Sequence, residues 1–206
     1  MRALVTGFEA FGGDTVNASL AAIKRLPPHV NGLEIETAEL PTSFARAPAV
    51  LAAAIARAGP DLVLCVGEAG GRSMLGIERV ATNLCNAQID DNDGARPAGG
   101  KSVADGPAAY FSTLPVNAML VAMREAGLPC EISNSAGGFV CNHVFYTLMH
   151  LTAAQGHRWL AGFLHVPHAF DPVARPQARM RVDDIVRGIA LALDAAVSSP
   201  AEASAP

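Results

Sequence analysis

The chain has 206 residues, 50% of them hydrophobic and 17% charged, with a formal net charge of -4. That is enough apolar material to close one sizeable core, and the expected organisation is a single domain over residues 1–198 with a frayed tail over 199–206. Acids and bases are interspersed, which leaves no footprint for nucleic acid or an anionic membrane, and no window approaches the about 20 apolar residues that cross a bilayer.

Ala3 to Thr6 is a short apolar run that stops at Gly7, as a buried central strand does. The loop GFEAFGGDTVN follows, and Asn17 is the expected N-cap of a helix through about Arg25, ended by Pro27 and Pro28. Leu33, Ile35 and Thr37 alternate with polar neighbours as a second strand. Ala45 to Ala58 reads as an alanine-rich helix closed by Gly59 and Pro60, and Leu62 to Val66 as a third strand. Strand, helix, strand, helix, strand is the order of a doubly wound or three-layer α/β domain with helices on both faces.

A glycine-rich turn covers Gly67 to Ser73, Gly76 to Cys85 reads as extended, and Asp90 to Gly100 is a loop of turn residues. Pro115 starts a helix running to Gly127, and Cys130 to Ser133 is a further strand. In SNSAGGFVCNHVFYTLMH, residues 133–150, a small-residue loop gives way to an apolar helix beginning near Asn142 and ending near Gly156. Trp159 to His165 makes a late strand. Val182, Ile185, Val186, Ile189 and Leu193 mark the last helix, with Asp183 and Asp184 in its first turn.

Cys141 is the expected reactive centre, because a thiol at a helix N-terminus meets unpaired N–H groups and the positive end of the dipole, which favour a thiolate. Ser135 to Gly138 leave an uncluttered approach to it. The competing reading is a buried structural cysteine. Cys65, Cys85, Cys130 and Cys141 are too few and scattered for a disulfide scaffold and form no zinc pattern, so reduced thiols and a cytoplasmic location are expected. The N-terminus, MRALVTGFEAFGG, fails as a secretory signal.

A cysteine nucleophile needs a base and usually a group that orients it. Of six histidines, His165 is best placed, at a strand's carboxyl end on the rim where open α/β sheets bind ligands. His143, two residues past Cys141, points to a different side of the helix. His29, His150, His157 and His168 read as surface or packing residues. Glu78 stands among Leu75, Ile77 and Val80, where an unpaired carboxylate is costly. Its partner is either His165 or one of Arg72 and Arg79, and the residues alone leave those alternatives even. Asp91 and Asp93 read as turn residues. Phe8 and Phe11, on the loop after the first strand, either wall an apolar slot for a flat ring or cover the core. That loop lacks the spacing of a phosphate cradle.

Several separated stretches belong together: LVTGFEAFGG with Asn17, VGEAGGR with IERVATN, the DNDG loop with Pro97, TLPV, SNSAGGFVCNH with FYTLMH, and GFLHVP, spanning residues 4 to 167. In this order they resemble the pyroglutamyl peptidase I, or pyrrolidone-carboxylate peptidase, family of cysteine peptidases. The resemblance implies an α/β/α sandwich around a mixed, mostly parallel sheet. It further implies Cys141 as nucleophile, His165 as general base and acid, Glu78 as the orienting acid, and Phe8 and Phe11 as walls of a pyroglutamate pocket. N-terminally pyroglutamylated peptides would be the substrates, no cofactor would be needed, and a homotetramer would be the assembly.

The chain departs from the family pattern at Ala10 and Ala18, where prolines are usual, at Glu68, where glutamine is common, and at Gln88, where arginine is common. The last two bear on the pocket's charge and leave two other readings open. One is a thiol amidase for another cyclic or small acyl group, and the other a catalytically silent protein that binds a pyroglutamyl ligand.

Overall fold

The apolar runs singled out above become the middle of one sheet, because a strand buried on both faces has apolar side chains pointing both ways. The structure is a computed structural model, and residues 1–156, 159–169 and 179–199 are described. In chain order the elements are β1 (Arg2–Phe8), α1 (Ala18–Ile23), β2 (His29–Val30), β3 (Leu33–Leu40), α2 (Ala47–Ala58), β4 (Leu62–Glu68), β5 (Leu75–Glu78), β6 (Val80–Thr82), β7 (Cys85–Asn86), β8 (Ala98–Gly100) and β9 (Ala109–Phe111). They continue with α3 (Val116–Glu125), β10 (Cys130–Ser133), α4 (Val140–Ala154), β11 (Leu160–Val166), β12 (His168–Ala169), β13 (Arg179–Met180) and α5 (Val182–Ser198).

The main sheet has the order β10-β5-β11-β4-β1-β3-β2. Four neighbouring pairs are parallel, and β5–β11 and β2–β3 are antiparallel, so the sheet is mixed and mostly parallel. Side-chain alternation divides the core. Ala3, Val5, Leu62, Leu64, Leu75, Ile77 and Leu164 meet α1, α3 and α5 on one face. Leu4, Phe8, Val63, Cys65, Ala161 and Phe163 meet α2 and α4 on the other. The architecture is the three-layer α/β/α sandwich.

Local chemistry sets the boundaries. Asn17 caps α1, its side chain accepting from the Ser19 N–H, and Gly59 ends α2 in the left-handed region at φ 54°. Two boundaries differ from the sequence reading. β4 runs on to Glu68, so Gly67 is a strand residue and the glycine-rich turn is shorter. The fourth helix starts at Val140, which places Cys141 inside its first turn. The expectations for His157 and for most of the C-terminal tail lie outside the described residues.

Candidate active site

The same alternation that divides the core aims the chemistry. On β11, His165 has the parity of Ala161 and Phe163, so it projects toward α4; on β5, Glu78 has the parity opposite to Leu75 and Ile77 and projects the same way. In the register His165 lies opposite Gly67 of β4 on one side and Gly76 of β5 on the other. Both glycines are spaces that neighbours fill. A Cβ at Gly67 would lie 2.9 Å from the Cys141 Sγ and 2.7 Å from the Phe163 ring, and a Cβ at Gly76 would collide with Arg72 Nη1. The thiol thus rests on the sheet beside His165, and the guanidinium enters from the other side.

Glu78 is fully buried, and its Oε1 accepts from His165 Nδ1 at 2.7 Å and from Arg72 Nη1 at 2.9 Å. The two partners left open by the residues alone are therefore both present. Arg79 instead reaches toward Asn134. Burial works to raise the Glu78 carboxyl. Its bond to His165, the imidazole's charge and Arg72 outweigh that and hold it below the usual carboxylate range. Burial also lowers His165, against the pull of Glu78, so the imidazole rests neutral. With its Nδ1–H given to Glu78, its Nε2 is the free acceptor.

Cys141 is half-buried as a residue, but its sulfur is turned inward over Gly67. Burial pushes the thiol up to about 12, the carboxylates of Glu78 and Glu68 and the neighbouring Cys65 add to this, and Arg72 opposes it. The expected ready-made thiolate is therefore corrected: burial holds the resting group as a thiol. Phe139, the N-cap of α4, provides no side-chain cap, so the N–H groups of the first turn receive no acceptor from it.

Cys141 and His165 open on one cavity of about 490 Å³, lined also by Glu68, Arg72, Ala136 and Phe139. A second cavity, of about 390 Å³, lies between α2 and the end of α4 around Ile55, Pro60, Leu151 and Trp159, and its lining holds no titratable side chain. The chemistry belongs to the first.

The structure separates the two predicted aromatics. Phe8 is 2% exposed and packs in the core against Phe163, their centroids 6.4 Å apart. It supports the site from beneath rather than walling the cavity, because its parity on β1 turns it under α2 and α4. Phe11 packs against Phe139 with the rings tilted by 41° and their centroids 5.7 Å apart, and Phe139 does line the cavity. The sequence reading passed over Phe139, although its place two residues before Cys141 marked it.

His143 is structural, as expected: its Nε2 meets the Phe44 carbonyl at 3.2 Å and its Nδ1 the Cys85 Sγ at 3.6 Å. Gln88 is exposed and stands outside the cavity lining, whereas Glu68 lines it. The Glu68 carboxylate accepts from the Ala18 N–H at 2.6 Å and pairs with His168 Nδ1 at 2.8 Å. Ligand atoms of Asp14, Glu68 and His168 converge within 4.8 Å, the one such group among the described residues. Two of them already satisfy each other, so the group is closed by its own hydrogen bond.

A thiol, a neutral imidazole and a buried carboxylate converging over the inner strands β5, β11 and β4 of an α/β/α sheet are the arrangement of a cysteine hydrolase. The particular kind follows from kinship, for the chain belongs to the pyroglutamyl peptidase family, whose description matches residues 1–199. It is 47% identical over 199 residues to pyrrolidone-carboxylate peptidase 1 of Streptococcus pneumoniae, covering 96% of this chain and 93% of that one. A pyrrolidone-carboxylate peptidase of Streptococcus pyogenes serotype M1 is 48% identical over the same shares. Among solved structures, pyroglutamyl peptidase I of Bacillus amyloliquefaciens superposes with a TM-score of 0.91 at 38% identity, covering 96% and 95% of the two chains. One from the pyrrolidone carboxyl peptidase of Pyrococcus furiosus and its cysteine-free mutant gives 0.92 at 34% identity, covering 96% and 99%.

Proposed function

We propose that this chain is a cysteine peptidase that removes an N-terminal pyroglutamyl residue from peptides. Cys141 is the nucleophile, His165 the general base and acid, and Glu78 the group that orients His165. The observation that carries the catalytic assignment is the buried Glu78–His165 pair, 2.7 Å across, sharing a cavity with Cys141. Family membership carries the substrate class.

In the proposed reaction the Cys141 thiol proton passes to His165 Nε2 as Sγ attacks the pyroglutamyl carbonyl carbon. N–H groups at the start of α4 receive the developing oxyanion. His165 returns its proton to the leaving amine, the C–N bond breaks, and a thioester remains. Water, deprotonated by His165, attacks the thioester and frees pyroglutamate and the thiol. Glu78, held ionised, stabilises the imidazolium in both halves. The lactam ring packs against Phe139 with Phe11 behind it, a wall suited to a blocked N-terminus without an ammonium group.

The same proposal includes a cytoplasmic location, in keeping with four cysteines that are all free thiols, and assembly as a homotetramer. A panel of acyl-anilides tests the substrate class. Release from pyroglutamyl-anilide, and none from prolyl-anilide with its charged ammonium, supports it. Turnover of another cyclic or small acyl group with pyroglutamyl-anilide untouched would favour the thiol amidase, and calorimetric binding without product the silent binding protein.

A further inference from the structure

The Gly76 position lies directly opposite His165 in the antiparallel β5–β11 register, and the absence of a side chain there leaves a space on the face that carries Glu78. Arg72 fills it. Its Nη1 donates to Glu78 Oε1, the same oxygen that receives His165 Nδ1, and its Nη2 donates at 3.0 Å to the Ser135 carbonyl in the loop that leads into α4 and Cys141. Glu78 Oε2 has no hydrogen-bond partner. Both donors therefore crowd one oxygen, and one guanidinium links the acid of β5 to the approach to the nucleophile. The Arg72 side chain is 27% exposed, inside the cavity wall rather than on open surface.

We propose that Arg72 is a positioning residue of the Cys141–His165–Glu78 set, fixing Glu78 against His165 and tying both to the loop that leads into α4 and Cys141. The proposal rests on the catalytic reading above. Arg72 shares the carboxylate oxygen with His165, which divides the hydrogen-bonding power of that oxygen between two donors. Its positive charge also opposes a second positive charge on the neighbouring imidazole. The other groups facing His165 and the thiol are Glu78 from β5, Glu68 from the end of β4, Cys65 within β4 and Cys141 from α4. Beside these groups Arg72 supplies the permanent cation. It keeps His165 in the neutral form that can accept the thiol proton.

Three variants test this. Arg72→Met removes charge and tether; Arg72→Lys keeps the charge without the two-pronged bridge; Gly76→Ala fills the gap and expels the guanidinium, while its new methyl group sits 3.5 Å from His165 Cβ, an ordinary contact. With pyroglutamyl-anilide, Arg72→Met and Gly76→Ala are expected to lose about 10²-fold in kcat with little change in KM. The acid limb of kcat/KM moves to higher pH in both, by up to about one unit. Arg72→Lys keeps the acid limb of the unmodified enzyme and an intermediate kcat. An unmoved acid limb in Arg72→Met and Gly76→Ala, or a change confined to KM, would overturn the proposal. NMR titration of the His165 imidazole reads the same shift without turnover. A protein inactive on pyroglutamyl-anilide would contradict the function reading, yet an upward shift of His165 in Arg72→Met would still support Arg72's role, and its absence would refute it.

Discussion

His165 sits between two glycines in the register of the sheet, and that placement explains more of the site than any single bond. Gly67 leaves room for the thiol and for Phe163, and Gly76 for the guanidinium. Gly67→Ala would push the Phe163 ring and Cys141 Sγ off their present seats. We expect it to fold and to lose about 10²-fold or more in kcat, with alkylation of Cys141 slowed, as measured by mass spectrometry after timed exposure to iodoacetamide. Glu78→Gln keeps the shape but offers an amide where His165 Nδ1–H needs an acceptor, so the wrong tautomer is favoured and kcat falls by about 10³- to 10⁴-fold. Steady-state kinetics check this, and a fall in binding alone would contradict it. The resting thiol, held up to about 12 by its burial, makes the base indispensable, because no standing thiolate exists to act without it.

At the scale of elements, the first turn of α4 is clamped as well as aimed. Asn142 is fully buried; its Oδ1 accepts from the Thr82 N–H at 3.1 Å, and its Nδ2 donates to the Thr82 and Leu84 carbonyls, each at 2.9 Å. Asn142→Ala leaves three backbone groups of the segment around β6 without that partner, and we expect it to cost about 2–3 kcal/mol in urea unfolding. The strands and helices were legible in the sequence because their signals are local: continuous apolar runs for β1 and β4, an asparagine cap for α1, a glycine stop for α2. Cys141, His165 and Glu78 were legible because each breaks its local pattern, a thiol at a helix start, an imidazole at a strand end, a carboxylate among aliphatic residues. What stayed hidden depends on pairing between distant strands. Neither the alignment of Gly67 and Gly76 beside His165, nor the simultaneous hold of His165 and Arg72 on one Glu78 oxygen, nor the inward turn of Phe8 follows from spacing along the chain. The resting thiol stayed hidden for the same reason, since how deeply the sulfur is buried is a property of the packed layers.

Across the whole molecule, the buried titratable groups frame a pH window for stability. Burial lowers His165 and His143 from the ordinary value of 6.5, so as pH falls below about 6.5 the unfolded chain takes up protons that the native state resists, and stability falls. Glu78, held below its ordinary 4.5, adds to the loss at still lower pH, where the unfolded carboxyl is protonated first. In the other direction Cys65 and Cys141 are both raised from 9.0 to about 12, so the native state keeps protons that the unfolded chain gives up as pH rises between those values. Thermal unfolding is therefore expected to show a plateau in Tm between about pH 6.5 and 9, with declines on both sides. A Tm that climbs steadily past pH 9 would contradict the burial of the two thiols. The central claim, a single thiol that carries out pyroglutamyl hydrolysis, has a direct test. The protein is incubated with pyroglutamyl-anilide before and after treatment with iodoacetamide, and the modified residue is mapped by peptide mass spectrometry. The account predicts release that is lost in step with alkylation of Cys141 and is absent in Cys141→Ser. Release that survives full alkylation of Cys141 would contradict it.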